Sequence, residues 1–241
     1  MKKYEFTGET KLWYGRTLHR IRALIAFADV EAGELGGWLE KEENLGMSGN
    51  AWVSGNARVY GDARVSGNAW VSGNARVYGD ARVSGDARMS GNAWVSGNAW
   101  VSGNAWVYGD ARVSGDARVS GNAWVSGNAS VSGNASVSGD ASVSGNASVS
   151  GDAWVSGNAW VSKTTHYLVI GAIGSRNDIT TFFRTKENEI FVQCGCFEGN
   201  IEAFVEKVKV SHGENKHAKV YLLAAEMAKI QLEDVEVPND L

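Results

Sequence analysis

The sequence predicts a mainly β protein: a triangular parallel β-helix of about six coils, with a β cap before it and a small α+β module after it. Three observations carry this prediction. One six-residue phrase, as in "VSGNAWVSGNARVYGDAR" at residues 65–82, recurs nineteen times without insertion from Met47 to Trp160. Apolar and variable positions alternate within each copy, and every copy contains a Gly followed by Asn or Asp. The vocabulary then changes abruptly on both sides, dividing the chain into 1–46, 47–162 and 163–241.

Each copy reads Ala–(Trp/Arg/Ser)–Val–(Ser/Tyr)–Gly–(Asn/Asp), with Met in the Val position at 47 and 89. Four alternating residues make a very short strand whose Ala and Val point to one face. Gly and Asn/Asp supply the turn, since they adopt left-handed backbone angles most cheaply. Hairpins at this spacing would send Val to the wrong side. Winding in one direction keeps every Val and Ala inside, with three strands to a coil and residues eighteen apart stacked. Thirty glycines against one proline suit a chain that turns constantly and gives its N–H groups to a ladder. The prism should be about 30 Å long at the usual strand spacing.

The eighteen-residue period sorts the outside into three faces. The first carries Trp52, Trp70, Arg88, Trp106, Trp124, Ser142 and Trp160, with Tyr108 beside Trp106. The second carries Arg58, Arg76, Trp94, Arg112, Ser130 and Ser148, with Tyr60 and Tyr78 alongside. The third carries Arg64, Arg82, Trp100, Arg118, Ser136 and Trp154. Five of the eight repeat tryptophans share the first face, and at about 150–250 Å² per ring this stripe exceeds what monomers expose. Trp52, Trp70, Trp106, Tyr108, Trp124 and Trp160 are therefore the expected subunit contact.

Charge excludes some partners. The repeats hold seven Arg and seven Asp, and five of those arginines follow an Asp by two residues in "GDAR", where the charges are expected to compensate locally. With a net charge of −4 the chain has no basic excess for nucleic acid and no attraction to anionic membranes. No apolar run is long enough to span a bilayer, and "MKKYEFTGETKLW" lacks the apolar core of a secretory signal. Cys194 and Cys196, the only cysteines, are poorly spaced for a disulfide and suit a reducing compartment. A cytoplasmic protein is expected.

The small–variable–aliphatic hexad resembles the hexapeptide-repeat, left-handed β-helix superfamily. The resemblance implies left-handed winding and a parallel homotrimer; in some members it implies acyl transfer through a His, or metal-dependent hydration. Residues 47–162 contain no His, Cys, Glu or Lys and no interrupting loop, so the prism offers neither a general base nor zinc ligands. An acyltransferase-like enzyme would have to work at the ends, through His166, His212 or His217. Carbohydrate binding by the indole stripe is a third reading. The leading expectation is a non-enzymatic scaffold whose prism oligomerises and whose C-terminal module recognises a protein or small ligand.

Bare prism ends expose core and unpaired strand edge, so both need caps. The leader supplies strand-like "KYEF" and "LHRIRALIAF", and Gly36–Gly37 and Trp38 are read as capping residues. Its phrase "DVEAGELGGWLEKEENL" resembles the leader of bacterial and phage β-helix proteins that carry no assigned activity. After Ser162, "HYLVIGAIG", "ITTFFRT" and "EIFVQCG" read as strands with turns at "GSRND" and "KEN". Asn200 is the expected N-cap of a helix ended by Gly213, and Leu223, Met227 and Ile230 mark a second. "CGCFEG" and "SHGEN" resemble a module of phage and mobile-element proteins. Cys194, Cys196, His212 and His217 could ligate zinc, although C-x-C is tighter than structural sites favour. Ser175, Arg176 and Asn177, in the Gly- and Arg-containing turn, could cradle a phosphate.

Overall fold

The computed structural model describes residues 2–232. Strands β1 (Tyr4–Trp13), β2 (Arg16–Ala23) and β3 (Leu35–Leu39) are followed by nineteen two-residue strands, β4 (Trp52–Val53) through β22 (Trp160–Val161). Four longer strands, β23 (Tyr167–Ile173), β24 (Asp178–Arg184), β25 (Ile190–Cys194) and β26 (Phe197–Asn200), form an antiparallel sheet. Helices α1 (Ile201–His212) and α2 (Lys216–Leu232) complete the described chain.

The short strands stack into three parallel sheets. Their order is that of the three predicted faces: Trp52 pairs with Trp70, Arg58 with Arg76 and Arg64 with Arg82, each eighteen residues apart. Every repeat Ala and Val from Ala51 to Val161 is buried in one continuous core. Coil binds coil through the backbone: within one hexad, the N–H groups of Trp70, Ser72 and Asn74 donate to the carbonyls of Ala87, Met89 and Gly91 at 2.9, 2.9 and 2.8 Å.

The turn glycine is required twice over. Gly103 has φ +65, and a Cβ there would lie 2.9 Å from both the N and the O of Gly121 on the next coil. Its Asn/Asp neighbour does something the turn reading missed. These side chains stack into corner ladders, with Asn68 Nδ2 donating to Asp86 Oδ1 (3.0 Å) and Asn134 Nδ2 to Asp152 Oδ1 (2.8 Å). Of the five "GDAR" aspartates, Asp86, Asp110 and Asp116 thus accept from amides one coil away. Where Asp62 and Asp80 follow one another in a column, Lys41 of the leader pairs with Asp62 at 2.6 Å.

The solenoid begins earlier than the repeat does. Leu39 pairs in parallel with Val59, and Leu45 bridges to Val65, so the leader lays down a degenerate first coil. Met47, assigned to the first Val position, is consequently displaced and 38% exposed. The β1–β2 hairpin extends the sheet of the second face through β3. Gly36 and Gly37 let this cap close on the coil, since a Cβ at Gly36 would lie 2.7 Å from the Trp52 ring, and one at Gly37 2.7 Å from the Ala57 carbonyl.

The far end is closed by the antiparallel sheet. Phe183 joins the solenoid core, with Tyr167, Val169 and Phe191 packed against it. Trp154 N–H donates to Thr181 Oγ1 (3.1 Å), and Ala159 bridges to Thr185. Helix α1 starts as expected, Asn200 Oδ1 accepting from Ala203 N–H at 2.9 Å, and ends at Gly213. Helix α2 forms where Leu223, Met227 and Ile230 mark it, but those three do not make its packed face. Its buried side is Ala218, Tyr221, Ala224, Ala225, Ala228 and Leu232, while Leu223, Met227 and Ile230 face outward.

Candidate interaction surfaces and the C-terminal pocket

The second and third faces are alike in sequence near the start, yet the cap changes what they present. On the second face Trp13, carried in by β1, lies over the guanidinium groups of Arg58 (4.0 Å) and Arg76 (5.0 Å). The column continues as Arg76 and Arg112 flank the Trp94 ring at 4.7 and 5.2 Å. Lys11 lies over Trp38 at 3.7 Å. Tyr60 and Tyr78 stack at 5.1 Å, and Tyr60 packs with Leu18 and Trp38. The Nε atoms of Arg58 and Arg76 are buried without a hydrogen-bond partner, so aromatic faces replace conventional acceptors here. Burial, followed by mutual repulsion with Arg76, lowers the pKa of Arg58.

On the first face the expected contact residues separate into two groups. Trp52 is fully buried in its own chain, with Phe27 of the leader packed edge-on at 5.5 Å, so it is not available to a second subunit. Trp70 is half-buried and lines an open groove with Asp29, Glu34, Arg88, Trp106 and Tyr108. Trp106, Trp124 and Trp160 are bare, at 38, 45 and 46% exposure. Trp106 and Trp124 stack at 5.4 Å with planes 8° apart, and Tyr108 meets Trp124 edge-on. A second groove runs from Trp124 over Ser142 to Trp160, bordered by Asn122, Asp140 and Asn158. The third face adds Trp100 and Trp154, at 43 and 48%. Sequence reasoning omitted these two because it counted tryptophans per face, not per end.

In the C-terminal module, two groups of candidates that look unrelated in sequence meet. Ser175 and Arg176 of the β23–β24 turn, Cys194 at the end of β25, Cys196 of the turn that follows, and His212 of α1 line a single cavity of about 170 Å³. Asn177, at φ +51, belongs to the same turn but is not part of the lining. Gly174 allows this turn to form, since a Cβ there would lie 1.8 Å from the Tyr221 ring. Burial, then Cys194, raises the pKa of the Tyr221 phenol, while hydrogen bonding to Ser175 partly opposes the rise.

The zinc reading is not supported by this geometry. Cys194 is buried and accepts from Thr180 Oγ1 at 3.2 Å, Cys196 is exposed, and His217 faces His212 with ring centres 6.0 Å apart. Among the described residues, no three His, Cys, Asp or Glu side chains gather where they could hold a metal ion. His166 is buried at the solenoid's end, its Nδ1 3.3 Å from Ser162 Oγ. The described helices include none long and apolar enough to cross a membrane.

Residues 57–73, 69–85, 75–91, 81–97, 87–103, 93–109 and 111–127 each match the YdcK β-solenoid repeat family. Every matched segment starts at a core Ala and spans about one coil, so the unit of similarity is the structural coil. The chain is a β-solenoid repeat protein. The matches stop at Gly127, after which Ser takes over the outward positions until Trp154. Among curated proteins, none matches the chain in sequence.

Proposed function

We propose that this protein is a non-enzymatic scaffold, a rigid solenoid that associates with further copies through its bare indoles and carries the C-terminal module as its recognition element. The observation behind this reading is the uneven cover of its aromatic faces. The leader buries Trp52, Trp38 and Tyr60, whereas Trp100, Trp106, Trp124, Trp154 and Trp160 on the later coils stay 38–48% exposed among the described residues. Rings of this size on two adjoining faces exceed the apolar area that soluble monomers leave exposed. A closed parallel trimer is the assembly that the hexapeptide-repeat resemblance favours, because it sets the same face of each chain at equivalent contacts. The prism's surface chemistry of Ser, Asn, Asp, Arg and Trp contains no group that titrates near neutrality, which supports a structural role.

The module's partner surface is the outward stripe of α2. Val220, Leu223, Met227 and Ile230 are 39, 66, 55 and 76% exposed at three–four–three spacing, the pattern by which one helix receives another apolar element. The leader's likeness to phage β-helix proteins makes a phage or prophage setting the natural one for such a scaffold.

Light scattering on the wild type beside Trp106→Ser/Trp124→Ser/Trp160→Ser tests the association. The wild type is expected at three times the chain mass and the variant at one. A monomeric wild type would overturn the reading. The groove from Trp124 over Ser142 to Trp160, rimmed by amides, a carboxylate and the Lys186 ammonium, favours carbohydrate as a second reading. Indole fluorescence unmoved by soluble glycans would remove it.

A further inference from the structure

The cavity between α1, α2 and the two β-turns of the module has a composition that neither structural packing nor the scaffold role uses. Its floor is aromatic and aliphatic, with Phe197, Phe204 and Val208 beside the buried Tyr221. Its rim carries Arg176, Lys207 and His212, together with the hydroxyls of Ser175 and Ser211. No carboxylate among the described residues lines it. Among the described residues neither Arg176 nor Lys207 takes part in an ion pair, in contrast to Lys2, Arg16, Arg22 and Lys41 of the leader. Arg176 instead rests its Nη1 3.6 Å from Cys196 Sγ and lies over Gly195, where a Cβ would meet its guanidinium carbon at 3.2 Å.

We propose that this cavity binds a small organic anion, a carboxylate or phosphate borne on a ring-sized apolar body. Two cations and an imidazole converging on one concavity, over a low-dielectric floor, concentrate positive potential where no carboxylate of the described residues lines the wall. A guanidinium held only by a weak thiol contact is the group best shaped to grip two oxygens of such an anion at once. The floor sets the size of the rest. An apolar cavity of roughly 150 Å³ admits a benzene-sized molecule, so about 170 Å³ suits one ring and its anionic substituent. The inference deepens the reading of the module as the recognition element, and it does not depend on how the solenoid assembles.

The protein contains its own reporter. Cys194 is buried and Cys196 exposed at the cavity, so a thiol-reactive dye on the native full chain reads Cys196 alone. Benzoate and phenyl phosphate are expected to slow its labelling saturably and to give matching calorimetric isotherms. Benzyl alcohol, lacking the charge, and inorganic phosphate, lacking the ring, should each bind about tenfold more weakly or worse. The tighter of the two aromatic anions tells phosphate from carboxylate as the natural head group.

By calorimetry, Arg176→Ala/Lys207→Ala should weaken the better anion at least about tenfold. Both side chains are exposed on the rim, and unchanged circular dichroism confirms that the fold is kept. The proposal is overturned if neither aromatic anion protects Cys196, if inorganic phosphate binds as well as phenyl phosphate, or if the double variant binds undiminished. Solution mass, measured on the same samples, reports on the scaffold reading separately.

Discussion

The early and late coils of the solenoid are written in the same six-letter phrase, yet they meet solvent differently. Around Trp52, Arg58 and Arg76 the leader folds back and supplies Phe27, Trp13 and Leu18, turning a charged and aromatic surface into packed interior. Around Trp106, Trp124 and Trp160 the flanking segments only edge the grooves, through Asp29, Glu34 and Lys186, and the same residue types stay 38–46% exposed. A repeat therefore fixes which residues share a face but not whether that face is surface. Exposure is decided by the non-repetitive chain, and the energetic role of each Trp follows from its distance to the cap.

The largest expected effect sets one indole against another. Trp52→Ala should cost about 3–5 kcal/mol, the usual result of emptying a fully buried aromatic site. Trp124→Ala, at 45% exposure, should change the stability of the monomeric coils by no more than about 0.5 kcal/mol. Because each coil contacts only its neighbours, the early loss should appear as separate melting of the leader and first coils. Urea titrations followed by hydrogen exchange resolve this. Equal losses at the two positions would show that cover by the leader does not set the difference.

Much of this architecture is legible in the chain because a strict period leaves little freedom. Once Val and Ala must both point inward, the partners eighteen residues apart follow, as do the three faces and the turn glycines. Asn200 and Gly213 were readable for a similar reason, since capping is local chemistry. What escaped depends on contacts between segments distant in sequence. Met47 fits the phrase but loses its place because Leu45, outside the repeat, already holds that rung. Leu223, Met227 and Ile230 mark the helix but not its packed side, which is that of Ala224, Ala225 and Ala228. The cavity was half visible: its turn and its cysteines each attracted attention, but only the pairing of β24 with β25 brings them together.

The turn glycines sharpen the contrast between stacked and terminal coils. Gly103 and Gly151 share a left-handed backbone, at φ +65 and +69, but only Gly103 has another coil over its missing Cβ. Gly151→Ala should cost about 1–2 kcal/mol, the strain of that conformation alone. Gly103→Ala must also push two coils apart and should reach about 2–4 kcal/mol. Chemical denaturation of the two variants isolates the stacking contribution as their difference. A smaller effect follows on the second face. Trp13→Ala removes two cation–π contacts, worth about 0.5–2 kcal/mol each by their degree of burial, and should leave the late coils unchanged.

The smallest effect is a pH dependence confined to the covered end. Burial pulls Lys3 from its ordinary 10.5 down to about 8, even as its ammonium donates to the carbonyls of Ala51 (2.8 Å) and Gly49 (3.3 Å) at the solenoid's open edge. Lys11 is drawn to about 8 as well, by burial first and then by Arg58 and Arg20. Between about 8 and 10.5 the unfolded chain keeps protons that the folded cap has released, so stability must rise with pH across that window. Below about 8 both states are protonated and the slope vanishes. The urea midpoint of the early coils should thus be higher at pH 9.5 than at pH 7.5, while the late coils, which contain no lysine before Lys163, do not respond. Lys3→Met/Lys11→Met should flatten the early response. A midpoint that falls with pH would mean that these ammonium groups hold the cap down by their charge, through Phe27 and Trp38, more strongly than burial opposes them.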